Sequence, residues 1–219
     1  MAVNLRSISD DADYYVLVYE VARRKMLSVS HCTDAIFQKR IIEQLSVQGR
    51  ELKVLGVGSG SGDIELKDML QLQKKFAKIS HTVVEPAKDH LDKYKKLIAK
   101  ESSKVIGVTY NWKQQTLGEY RDEFGITNKY DVIFAINCFY YFEDYEGSLM
   151  YLREILEEGG ILIVILATGK AKFLFPYTNK GGFFLFWCNH HLSKKHHNRK
   201  KKSVTSIYIY FFLFIHSEV

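Results

Sequence analysis

From about residue 52 to 168 the chain alternates short apolar runs of strand length with stretches of amphipathic helical spacing. LKVLGV (52–57), HTVVE (81–85), KVIGVTY (104–110), YDVIFAI (130–136) and GILIVILAT (160–168) read as five strands. The fourth is apolar on both faces and the fifth is continuously apolar, as central parallel strands are. Between them, Ile64, Leu66, Met69, Leu70, Leu72 and Phe76 recur at mixed helical spacing. Leu91, Tyr94, Leu97 and Ile98 form a second stripe behind Pro86, which suits a first helical turn. Leu149, Leu152, Ile155 and Leu156 mark a third helix, expected to stop at Gly159–Gly160. Strand and helix in alternation predict an α/β fold, a doubly wound and mostly parallel sheet of Rossmann-like type. Upstream, residues 1–48 carry helical spacing (Tyr15, Val18, Tyr19, Ala22, Met26; then Ile36, Phe37, Ile41, Ile42, Leu45) and predict an N-terminal helical cap.

After about Lys180 this pattern ends. Residues 181–219 carry five of the eight histidines and the ten-residue apolar run SIYIYFFLFI, without amphipathic period. Three readings of this segment stand side by side. KKHHNRKKK is a localisation or phosphate-binding patch; the apolar runs pair as replacement edge strands; or the segment is a terminus foreign to the fold, following a C-terminal truncation. The composition favours the last and predicts a sheet left incomplete at its C-terminal edge, with exposed aggregation-prone aromatics. The expected division is therefore 1–48, 49–180 and 181–219.

Charge narrows the partners. The net +6 resides in the tail, where six Lys/Arg face one acid, Glu218; residues 1–180 hold 25 basic and 24 acidic side chains. The body has no electrostatic footprint for nucleic acid. No apolar run reaches the ~20 residues of a membrane-spanning helix, and the N-terminus has no secretory pattern. Cys32, Cys138 and Cys188 are dispersed without a CxxC, which suggests a reducing, cytoplasmic setting and no metal site.

The chemistry concentrates in LGVGSGSGDIE (55–65), with glycines at 56, 58, 60 and 62. Glycine loses the most backbone freedom on folding, so four at alternate positions need a reason. They follow a strand and precede a helix, where open α/β sheets bind ligands. The dinucleotide spacing GxGxxG does not fit, because its last position falls on Ser61 or Asp63. The spacing xxGxGxG, with Gly58, Gly60 and Gly62, resembles the first motif of class I S-adenosylmethionine-dependent methyltransferases, (D/E)xGxGxG. Its opening acid is Gly56 here. Another nucleotide-type turn and a plain loop are the competing readings. Glu85, at the tip of the second strand, is placed either to accept both ribose hydroxyls of an adenosine or to serve as a solvated turn acid. Phe139, Tyr140 and Tyr141 follow the fourth strand, either for stacking on a flat or cationic substrate or for helix–sheet packing. His31, His81 and His90 read as structural or surface residues.

LKVLGVGSGSGDIEL, VVEPAKDHLDKYKKLIAK, VTYNWKQQTLGEY and NKYDVIFAINCFYYFED, in this order and spacing, resemble the histamine N-methyltransferase family over about residues 5–178. The resemblance implies a class I methyltransferase fold and S-adenosyl-L-methionine as cofactor. It further implies a monomer that methylates a small amine at an imidazole ring nitrogen. By position it implies cofactor contacts at Gly58, Gly60, Gly62, Glu85 and Ile136, and also at His90 and Leu117, where the family carries glutamine and serine. Tyr140 and Tyr141 match the substrate-side aromatic pair. The family's pocket glutamate would fall near residues 27–30, which read LSVS. No catalytic acid or base is implied, because an activated sulfonium methyl needs chiefly proximity and alignment. Two alternatives remain: a non-catalytic truncated form of such an enzyme, and a methyltransferase for another small amine.

Overall fold

The computed structural model describes residues 42, 43, 45, 47, 49–168, 183–188 and 208–215. The expected N-terminal helical cap therefore lies almost wholly outside the described residues. The elements are β1 (Leu52–Val57), α1 (Asp63–Leu72), β2 (Ile79–Val84), α2 (Lys88–Lys100), β3 (Val108–Lys113), α3 (Leu117–Phe124), β4 (Tyr130–Ile136), α4 (Tyr145–Glu154), β5 (Leu156–Thr168), β6 (Phe183–Cys188) and β7 (Tyr208–Ile215). They form one sheet of order β3-β2-β1-β4-β5-β7-β6. The first five strands run parallel, with Val54 opposite Val132 and Val132 opposite Ile161. The strand order reverses between β1 and β4, which opens a crevice at their carboxyl ends.

Alternation along the central strands builds a core on each face. Val132 and Phe134 of β4, with Ile161 and Ile163 of β5, pack against Met69 and Leu72 of α1 and against Ile42 and Leu45. Their neighbours Ile133, Ala135, Leu162 and Val164 face the other way, onto Leu117 and Tyr120 of α3 and Tyr151 and Leu152 of α4. Both faces are covered, so both sets of side chains are apolar. Lys75 ties the segment before β1 to the end of α1, donating from Nζ to the Ile42 and Leu45 carbonyls at 2.7 and 2.6 Å.

Three sequence expectations need correction. The sheet does not stop at β5: β7 pairs antiparallel with it, Ile161 opposite Ile215, and β6 pairs antiparallel with β7. The Phe/Tyr/Ile-rich runs have strong strand preference and meet an open edge. Gly159–Gly160 does not end the third helix, since α4 stops at Glu154. Those glycines sit inside β5, where the register against β4 shifts between Tyr130 and Val132. A Cβ at Gly160 would meet the Glu157 and Tyr130 carbonyl oxygens at 2.8 and 3.0 Å. The third strand spans 108–113 instead of 104–110, because Gly107 turns the chain at φ +74, where a Cβ would lie 2.3 Å from the Ala77 carbonyl oxygen.

Candidate functional site

The glycine turn is stitched to β2 from its first residue, where the Gly58 N–H donates to the Val84 carbonyl at 2.8 Å. Gly58, Gly60 and Gly62 have φ of 60, 56 and 76°. These are left-handed values that cost other residues about 1–2 kcal/mol. Space forbids a side chain as well. A Cβ on Gly58 would lie 2.5 Å from the Cys138 Cβ, and one on Gly62 would lie 2.0–2.3 Å from the Tyr94 ring. The turn is thus tightly packed behind its bare backbone, and the plain-loop reading fails. Gly62 is also the N-cap residue of α1.

Glu85 closes the turn from β2. It is 5% exposed. One carboxylate oxygen accepts the Gly60 N–H at 2.8 Å and the other the Ala87 N–H at 2.9 Å. These bonds lock the carboxylate at the strand tip and leave about half of its lone-pair capacity for a ligand.

The third wall comes from the end of β4. Asn137 is the one non-glycine residue with positive φ among the described residues, at 56°. Its N–H donates to the Ile165 carbonyl at 2.7 Å, and its Oδ1 accepts the Tyr140 hydroxyl at 2.9 Å. This bent strand end launches a 3₁₀ turn, Phe139–Tyr141. Its tyrosine rings meet edge-on, 5.4 Å apart, and are 46% and 52% exposed.

Between these walls lies a cleft of about 370 Å³. Gly58, Gly60, Glu85, His90, Ile136 and Tyr141 line it together, as expected. Three expected residues stand outside the lining. Gly62 lies behind the turn, against Tyr94. Leu117 is the first residue of α3 and is buried in the core with Tyr120 and Leu152. Tyr140 stands beside Asn137. Among the described residues, the lining also holds Asp63 and Glu65, which with Glu85 make three acids, and no lysine or arginine. The resulting field favours a ligand carrying positive charge. Cys138 lines the cleft too; burial first, then the nearby Glu65 charge, pushes its thiol well above the ordinary range, which disfavours the thiolate.

Glu65 was not anticipated from the sequence. It stands 2% exposed beneath the turn. Tyr94 Oη and His81 Nε2 each lie 3.4 Å from its Oε2, too far for well-formed hydrogen bonds. Its Oε1 has no hydrogen-bond partner among the described residues. His81, expected to be structural or on the surface, is fully buried beside Tyr94 and Tyr110. His31 lies outside the described residues. Among the described residues no cluster of His, Cys, Asp and Glu is arranged to hold a metal, and no helix is long and apolar enough to cross a membrane.

No protein-family model matches the chain. It does align with histamine N-methyltransferase B of Xenopus laevis at 31% identity over 183 residues. The chain is similar to the histamine N-methyltransferases. That alignment covers 78% of this chain and 60% of the relative. The Cavia porcellus histamine N-methyltransferase is 28% identical over 184 residues, covering 80% of this chain and 62% of the relative. The Xenopus tropicalis enzyme is 29% identical over 191 residues, covering 83% and 64%. The chain thus spans less than two thirds of the length of these histamine N-methyltransferases. Among solved structures, the plantazolicin methyltransferase BpumL, in complex with a pentazolic desmethylPZN analog and SAH, superposes with TM-score 0.53 at 16% identity. The match covers 73% of this chain and 55% of BpumL. That likeness bears on the fold, which is the class I methyltransferase fold.

Proposed function

We propose that this chain binds S-adenosyl-L-methionine in the glycine-turn cleft and transfers its methyl group to a nitrogen of a small amine, with a histamine-type imidazole as the first substrate to test. The observation that carries this reading is Glu85, buried at the tip of β2 with its oxygens tied to the Gly60 and Ala87 N–H groups. The residues fit the cofactor. Gly58 and Gly62 combine positive φ with no room for a side chain, and among the described residues the cleft lining is acidic and a buried carboxylate oxygen of Glu65 is without a hydrogen-bond partner. When bound, S-adenosyl-L-methionine supplies a methyl group already activated on a sulfonium sulfur.

The chain's own residues have the work of placement. The remaining lone pairs of Glu85 would receive the ribose hydroxyls, Gly58 and Gly60 would let the ligand lie against the main chain, and Ile136 would give the adenine an apolar wall. His90 lines the same cleft, and Tyr141 stands exposed at its edge. Bound there, the cofactor would supply its sulfonium methyl to a neutral imidazole nitrogen held in the cleft, leaving the thioether behind, with the surplus ring proton going to water. No protein base is required, so the rate gain rests on proximity and alignment. The reading extends to a monomer in the reducing cytoplasm, consistent with Cys138 as a free thiol.

The test is calorimetric titration of S-adenosyl-L-methionine into the full chain, followed by labelled-methyl transfer to histamine and a panel of other small amines. Micromolar binding weakened about ten- to a hundredfold by Glu85→Ala supports the reading. A folded chain that binds nothing overturns it.

A further inference from the structure

The motif that Gly58, Gly60 and Gly62 complete opens with an acid, and the chain places Gly56 there. The structure shows what fills that space. A Cβ on Gly56 would stand 2.5 and 2.7 Å from the two carboxylate oxygens of Glu65, and 2.5 Å from Ser59 Oγ. The space a side chain at 56 would take is held by a carboxylate that reaches it from the first turn of α1, together with Ser59 Oγ. Glu65 lines the cleft. It is almost completely buried, and its Oε1 has no hydrogen-bond partner among the described residues. Its Oε2 has only the long contacts to Tyr94 and His81. A buried carboxylate with an orphan oxygen is costly unless a donor or a cation completes it. Among the described residues, the cleft lining offers no lysine or arginine to do so.

We infer that Glu65 is the receptor for the ammonium group of the bound cofactor's methionine end: the carboxylate absent from β1 is supplied by α1. This rests on the cofactor reading above. The competing role is a purely structural one, in which Glu65 serves only His81 and Tyr94 behind the turn. The two roles differ in what they do to ligand selectivity. A receptor for the ammonium discriminates between ligands with and without an amino group, whereas a structural residue weakens both alike.

The experiment titrates S-adenosylhomocysteine and its desamino analogue, which keeps the thioether and carboxylate but lacks the amino group, into the wild-type chain and Glu65→Gln. The wild type is expected to favour S-adenosylhomocysteine by about ten- to a hundredfold, the range for a hydrogen-bonded charged group. In Glu65→Gln that preference should collapse to within a few-fold, through weaker binding of S-adenosylhomocysteine and unchanged binding of the analogue. Full selectivity in Glu65→Gln overturns the inference while leaving the cofactor reading intact. Equal loss of both ligands assigns Glu65 the structural role and also overturns it. Should Glu65→Gln lose its cooperative melt, the wild-type comparison decides, since equal affinity for the two ligands excludes an ammonium receptor. A folded wild type that binds neither ligand removes the cofactor reading itself.

Discussion

The two sides of β1 treat buried polar groups differently. On the β4 side they are satisfied. The Asp131 carboxylate accepts both Arg50 terminal nitrogens, at 2.8 and 2.5 Å, and the Lys53 N–H at 2.8 Å. The Tyr120 and Tyr130 hydroxyls bond to each other, Asn128 donates to Tyr120 at 3.1 Å, and Tyr151 donates to the Gly125 carbonyl at 2.9 Å. On the β2 side, Ser59 Oγ, Glu65 Oε1, both His81 nitrogens and the Tyr110 hydroxyl are buried without partners among the described residues. Burial likewise pushes the Tyr94 and Tyr110 hydroxyls up, with the Glu65 charge next in importance. One half of the sheet is finished as a scaffold. The other keeps polar capacity unspent beside a cleft, the arrangement of a site built for something other than stability.

The largest effect should come from breaking the β2 side at its tightest point. Gly62→Ala adds a methyl group inside the Tyr94 ring at φ +76, and is expected to cost about 2–5 kcal/mol by urea denaturation. The scaffold side is tested next. Asp131→Ala orphans the Lys53 N–H while Arg50, 44% exposed, falls back on water. A loss of about 1–2 kcal/mol is expected, since the exposed partner is screened. A matched pair then sharpens the contrast directly. Tyr130→Phe, which deletes a satisfied hydroxyl, should cost about 1 kcal/mol, whereas Tyr110→Phe, which deletes an orphan, should be neutral or slightly stabilising. Equal losses in the two would dissolve the distinction.

The smallest effect concerns pH and lies on neither side. Thr116 caps α3 in a reciprocal box with Glu119. The Thr116 N–H, and after it the hydroxyl, holds the Glu119 carboxyl below its ordinary value. A carboxylate depressed in the folded state adds stability that is complete above the unfolded carboxyl range and is lost as pH falls through the folded value. The melting-temperature gap between wild type and Thr116→Ala should therefore narrow below about pH 4.

Where the sequence was readable, the reason is physical. β1 and β4 are legible to the residue, 52–57 and 130–136, because both faces of a central parallel strand are buried and the apolar run ends where the strand does. β3 is an edge strand whose residues are all half-buried or exposed. The apolar KVIG before it drew the reading upstream, although Val105 packs from a turn. α3 was not anticipated because eight residues with two buried positions leave too little periodicity, yet T-x-x-E at 116–119 was a capping box in plain view. The turn glycines and Glu85 were legible because spacing and strand position fix their place. Leu117 fell away from the cleft because α3 turns its first residue into the core. Glu65 was hidden for a different reason: on α1 it reads as an ordinary polar helix position, and only the third dimension brings it to the space above Gly56.

That overlap at position 56 has a historical consequence. A side chain there would push the Glu65 carboxylate from its present place, so the two positions are coupled and a change at either is judged by the other. A lineage moving an acid from the strand to the helix gains by vacating 56 before the helix carboxylate settles. The return path runs against the same overlap, because an aspartate regained at 56 displaces the Glu65 carboxylate. The overlap therefore favours one order of the two substitutions, and a reconstruction that introduces them singly, in both orders, is expected to find the more stable intermediate on the path that vacates 56 first.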